Sequence, residues 1–245
     1  MQSQYTPEIA DRAMLAEGFL CLSTSREFCP EGRIPRDEAA RRLAKLLPPG
    51  SQIAFADQVH GAEVIAIGPF TAAQEEIPSC DGLAINRIGV FLVIRTADCL
   101  PVVLVDPEAG VCAALHAGWR GSLAGIVSKG VSLMQTLGAR AERIRLWIAP
   151  GVGAASYEVS QELIDRFVAA HGDLGTFHQG RLLDLAELNR LQALKAGLAT
   201  DSIVVSDYCT FRDADLFYSH RRQGFDRGQQ YTVCGFPKPT RSHPS

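Results

Sequence analysis

The chain lacks three things whose absence narrows its function. It has no Cys-x-x-Cys pair, no apolar run near the ~20 residues that span a bilayer, and no excess of positive charge, the net charge being -3 over 245 residues. The seven cysteines, at positions 21, 29, 80, 99, 112, 209 and 234, are scattered and odd in number. That argues against a secreted disulfide framework and against a closed structural zinc site built from thiolates. Most of them should be ordinary buried thiols. Neither a membrane span nor an export signal is expected, because the N-terminus "MQSQYTPEIADRAMLAEGFLCL" has no basic region ahead of an apolar core. A cytoplasmic protein is the default. The mild negative charge gives no footprint for nucleic acid. Repeats and low-complexity segments are also missing, and only a short polar tail, residues 237–245, is expected to fray. The stretch "IAPGVGAASYEV" (148–159) matches neither a Walker loop nor G-x-G-x-x-G, so it reads as a plain strand-to-helix turn.

With 47% hydrophobic residues the chain can bury one large core, and a single domain over residues 1–245 is expected. "RDEAARRLAKLL" (36–47) has helical spacing and stops at Pro48, Pro49 and Gly50. Residues 52–67 read as two strands around the polar break "DQVHG". Residues 89–96, 101–106 and 111–117 are short continuous apolar runs, suited to strands covered on both faces. Helical spacing follows over 122–137, a strand over 143–151, helices near 160–170 and 185–196, and strands near 203–206 and 230–235. The expected fold is mixed α/β, with mixed β-sheets flanked by helices.

Three residues of this outline carry chemistry: His60 in "DQVHG", Cys99 in "RTADCLPVVLVDP", and His116 in "ALHAGWRG". All fall at strand ends or tight turns, where loops on a rigid scaffold build sites. If they meet, two imidazoles and a thiolate can bind a zinc-like ion with one position open. Alternatively, Cys99 is a nucleophile with His116 as base and Asp98 or another group orienting it. The structural alternative is a buried thiol and two hydrogen-bonded histidines with no shared role. Gly118 and Gly121 allow close backbone approach, and a helix start beside Arg120 favours an anion. Arg120 reads either as a phosphate or carboxylate clamp or as a surface ion pair. "YSHRRQG" adds Arg221 and Arg222, with His220 and Tyr218 nearby.

Taken in order, "DQVHG", "RTADCLPVVLVDP", "AALHAGWRG", "SYEV" and "CTF....LFYSHRRQG" resemble the YfiH-like family, also called laccase-domain or multicopper polyphenol oxidoreductase proteins. The resemblance runs from about residue 50 to 235. It implies a single-domain mixed α/β fold and a metal, usually zinc, on His60, Cys99 and His116. It also implies phosphorolysis of adenosine, inosine and methylthioadenosine, with adenosine deamination described in some members. Other members are described as editing factors that cleave an amide in serine-containing muramyl precursors of peptidoglycan. Two departures stand out: Gln229 replaces an arginine, with Arg227 as a candidate substitute, and Cys80 stands beside the expected Asp81.

The expected mechanism places an ion on the three ligands. Arg120, Arg221 and Arg222, with His220 nearby, would position phosphate or another anion, and Asp81 or Asp98 would carry a proton. Multicopper oxidation is not expected, since six histidines without an H-x-H pair cannot build a trinuclear copper cluster, although one copper could replace zinc. A metal-free Cys/His amidase and a binding module without turnover are the alternatives. The expected partners are small molecules, and the chain is expected to act as a monomer or small homo-oligomer.

Overall fold

The computed structural model describes residues 18–68 and 74–239. The N-terminal stretch before Gly18 and most of the expected frayed tail, from residue 240 on, lie outside the described residues. Two sheets carry the fold, and β10 (His178–Gln179) and β11 (Leu182–Leu183) form a separate small ribbon. The first runs β1 (Leu20–Ser23), β13 (Gln230–Gly235), β6 (Val90–Thr96), β2 (Gln52–Ala56), β4 (Gln74–Ile77) across its width. The second runs β12 (Ile203–Val205), β9 (Arg145–Ile148), β7 (Leu100–Asp106), β8 (Val111–Ala117), β5 (Gly82–Ile85), β3 (Val64–Ala66). Both are mixed: β2 pairs parallel with β6 and β4, while β7 pairs antiparallel with β8 and β9.

The continuous apolar runs have a direct physical cause, since each sheet is covered on both faces. Along β6, Val90, Leu92 and Ile94 pack into the layer between the sheets, while Phe91 and Val93 pack under helix α1 (Arg36–Ala44). Along β7, Val103 and Val105 enter the same inter-sheet layer, and Leu100, Val102 and Leu104 face the helices on the far side. Those helices are α2 (Trp119–Leu123), α3 (Ile126–Thr136), α4 (Gln161–His171) and α5 (Leu185–Lys195). Strand periodicity is thus intact, but both phases are apolar. Each fully buried Val or Leu contributes roughly 1.5–3 kcal/mol, so the β7–β8 pair anchors the molecule.

Three sequence expectations change. The helix expected over 122–137 is two helices, because Gly125 adopts φ 73° and breaks the ladder between α2 and α3. Only glycine takes that conformation freely. The two strands of residues 52–67 are not a local pair: β2 lies in the first sheet and β3 in the second. Strands β4 and β5 went unread. "QEEI" is acidic at a sheet edge, and "GLAI" is too short to show a period.

Candidate metal centre

The chain crosses from the first sheet to the second three times, after β2, after β4 and after β6. His60 sits on the first crossing, Asp81 on the second and Cys99 on the third. His116 lies near the end of β8, opposite Pro101 at the start of β7. The first and third crossings deliver their side chains to one rim, and the donor atoms of His60, Cys99 and His116 all lie within 4.8 Å of one another. His60 is exposed, Cys99 half-buried and His116 buried.

Left-handed backbone marks the first and third crossings, with His60 at φ 60° and Asp98 at φ 88°. Each such non-glycine residue costs on the order of 1–3 kcal/mol, and each is held by hydrogen bonds to a carboxylate. Asp81, fully buried, accepts the His60 N–H at 2.9 Å and the Gly61 N–H at 2.6 Å. Its Oδ1 also meets His116 Nδ1 at 2.7 Å. Asp98 accepts the Thr210 hydroxyl at 2.7 Å and the Arg221 backbone N–H at 2.6 Å.

The Asp81 contact decides how His116 is used. With Nδ1–H donated to a carboxylate, Nε2 is left as the ligand atom, the arrangement by which outer carboxylates orient metal-binding histidines. Burial alone would raise the Asp81 carboxyl, but His116 and the two amides outweigh it and hold it below the ordinary carboxylate range. Burial likewise works against charge at the neighbouring pair. There Cys99 and His116 stabilise each other, bringing the thiol down to about 6 and the imidazole up to about 9. Both imidazoles, His116 foremost, favour the thiolate form of Cys99. Gly118 completes the cradle, since a Cβ there would stand 2.9 Å from Cys99 Sγ.

The cluster opens into a cavity of about 510 Å³, lined also by Gln58, Arg95, Arg33, Arg227 and Gln229. Gln58 and Arg95 extend the β2–β6 ladder, exchanging hydrogen bonds of 2.7 and 2.9 Å. Phe225 at the same cavity is 86% exposed, with the His220 ring against it at 5.0 Å.

The remaining candidates divide. Arg120 is exposed and stacks its guanidinium 4.2 Å above the Trp119 ring. Arg221 lies over Tyr157 at 5.0 Å and donates to the Glu158 carbonyl. Tyr157, whose phenol is pushed up to about 12 by burial and by the Cys99 charge, feels both arginines. Arg222 is committed elsewhere, donating to the carbonyls of Thr210, Phe211 and Phe217. Neither Asp81 nor Asp98 presents an oxygen free of these bonds. Cys80 is buried and donates toward the Ile77 carbonyl, with its thiol pushed up to about 11 by burial.

The match to known proteins covers His60, Cys99 and His116 and every strand but β1. Residues 36–236 fit the model of the family described as multi-copper polyphenol oxidoreductase laccase. The chain belongs to that family. It is 39% identical to a purine nucleoside phosphorylase of Deinococcus radiodurans, over 82% of this chain and 77% of that protein. It is 34% identical to adenosine deaminase RL5 from an unknown prokaryotic organism, over 62% and 60% of the two chains. Among solved structures, YlmD from Geobacillus stearothermophilus superposes with a TM-score of 0.82 at 27% identity, over 97% of this chain and 98% of that one.

In this laccase-family chain, His60, Cys99 and His116 form the only group of three close metal-binding donors among the described residues. His171, His178 and His220 each bond a backbone carbonyl instead. Two imidazoles and a thiolate suit zinc or a single copper. No helix among the described residues is long and apolar enough to cross a membrane. Sequence reading missed Arg33, Gln58 and Arg95. Arg95 alone left a signal, as the single charge inside the apolar run "VFLVIRT".

Proposed function

We propose that the protein is a zinc-dependent purine nucleoside phosphorylase acting on adenosine, inosine and methylthioadenosine. The observation that carries this reading is the convergence of His60, Cys99 and Asp81-held His116 on a polar cavity with arginines in its wall. The Deinococcus relative named as a purine nucleoside phosphorylase supports the choice of reaction.

In phosphorolysis a phosphate oxygen bonds to the anomeric carbon of the ribose. The carbon–nitrogen bond to the base breaks, and its electron pair leaves with the purine, which then takes up a proton. When bound at His60, Cys99 and His116, zinc supplies Lewis-acid charge against the substrate. Asp81 fixes the His116 tautomer and Asp98 fixes the Cys99 turn against Thr210 and Arg221, so both are positioning residues in this reading. Tyr157 keeps its proton and serves as a hydrogen-bond donor beside Cys99. Arg120 and Arg221 give that edge positive potential, which draws anions to the site. Phe225 offers a flat apolar face at the cavity mouth for the purine.

The same cluster serves adenosine deamination, in which water adds at the purine C6 and ammonia leaves to give inosine. The RL5 relative supports this second activity. The seven cysteines form no disulfide, which fits a reducing compartment, and we place the enzyme in the cytoplasm.

The test is chromatography of products from inosine with and without phosphate. Phosphate-dependent hypoxanthine is expected. Absence of free base from zinc-loaded protein rejects this function in favour of amide cleavage in a muramyl precursor.

A further inference from the structure

Three arginines line the cavity of the His60, Cys99 and His116 cluster, and their bonding differs. Arg95 is bonded to Glu76 at 3.1 Å and to the Ala56 carbonyl. Among the described residues Arg33 and Arg227 meet no carboxylate within ion-pair distance, yet they lie near enough that the Arg33 charge acts on Arg227. Arg227 makes one long contact, Nη1 to the Gly224 carbonyl at 3.4 Å, and its Nε is shielded from solvent with no acceptor. Buried donors without acceptors are rare and unfavourable, so one beside a reaction centre points to a role beyond folding. Burial and Arg33 pull the Arg227 guanidinium below its ordinary value, against Asp98 and Cys99. Asp98 cannot serve as its hydrogen-bond partner without giving up Thr210 or the Arg221 amide. The other acidic groups of the cavity make no ion pair with either arginine. Glu76 is bonded to Arg36 and Arg95, and Asp57 lines the same cavity.

Two guanidinium groups and the Gln229 amide lining one cavity match a tetrahedral oxyanion, which offers oxygens in several directions, better than a planar carboxylate. We propose that Arg227 and Arg33, assisted by Gln229, form the inorganic phosphate site of this cavity. The use made of that phosphate rests on the phosphorolysis reading, but its binding is measured without turnover. In this assignment Arg120 and Arg221 attract anions from outside, and Arg227 and Arg33 hold the one that reacts.

Calorimetric titration of the zinc-loaded full chain with inorganic phosphate tests the assignment. Arg227→Gln is expected to weaken binding by about tenfold or more, as loss of a charge-assisted hydrogen bond does. Arg33→Gln, a change at an exposed side chain that leaves folding intact, is expected to weaken it several-fold, and Arg227→Lys should fall between wild type and Arg227→Gln. Arg41→Gln, which removes an equal charge on the outer face of α1, should bind as wild type. Wild-type affinity in both Arg227→Gln and Arg33→Gln overturns the proposal. So does tight binding of a nucleotide's phosphate with no binding of inorganic phosphate. If the variants weaken phosphate binding but no nucleoside is ever cleaved, the phosphate site stands and the phosphorolysis reading falls. If nucleoside is cleaved with an unchanged phosphate KM in both variants, the reading stands and this site falls.

Discussion

Two aspartates lie fully buried at the two ends of the same strand system, and they do different work. Asp106 ends β7, where it accepts the N–H groups of Glu108, Ala109 and Arg140 and the guanidinium of Arg143. Asp81 precedes β5, where it accepts two amides and a histidine. Burial opposes charge on both, and in both the hydrogen bonds outweigh it and hold the carboxyl below its ordinary range. The difference is the last partner. Asp106 ends on an arginine that closes a turn, so its work stops at stability. Asp81 ends on an imidazole whose other nitrogen faces Cys99 and the cavity, so its order is passed to a reactive group. A satisfied buried carboxylate is therefore no sign of function until its partner is followed outward.

The comparison breaks hardest at the ligand itself. Cys99→Ala is expected to lower turnover by more than about a hundredfold, since losing a direct ligand should exceed the 10–100-fold cost of losing an outer partner. Its melting temperature should hold in the ion-free state, and metal analysis should find less than one ion per chain. At the opposite end, Asp106→Ala leaves buried amides without an acceptor and should cost about 2–3 kcal/mol in urea unfolding. Ion affinity there should be unchanged. Asp81→Asn should show the reverse balance, with ion affinity down about 10–100-fold and a smaller stability loss. Competition with a chelator measures the first and urea unfolding the second.

Smaller effects sharpen the contrast. Gly118→Ala must displace Cys99 Sγ from its 2.9 Å approach, so ion affinity should fall a few-fold with little change in stability. Acid should separate the two ends as well. Because the folded Asp106 carboxyl titrates below its unfolded value of ~3.9, its stabilisation is full above that pH and is lost as pH falls through the folded value. The unfolding curves of wild type and Asp106→Asn should therefore lie apart at pH 7 and converge in strong acid.

Much of this was legible in the sequence, but not evenly. The runs around Leu92, Val103 and Ala113 announced covered strands because both phases are apolar. His60, Cys99 and His116 stood out as reactive types at strand ends. Periodicity, however, reports which faces are buried and not which sheet a strand joins. The three crossings that unite these residues were therefore invisible, and so was the bond between Asp81 and His116. Arg222 looked like an anion ligand in "SHRRQG", yet it folds back on three carbonyls whose positions depend on the tertiary structure. Arg33 gave no signal, standing in a loop before Pro35, and Arg227 stood out only as the neighbour of a position where glutamine replaces the usual arginine.

The most direct measurement is a zinc titration of the ion-free protein, following hypoxanthine release from inosine at saturating phosphate. Activity should rise linearly to one zinc per chain and then level, with no rise in Cys99→Ala. Full activity before any ion is added, or an equal response in Cys99→Ala, would rule out catalysis at the His60, Cys99 and His116 centre.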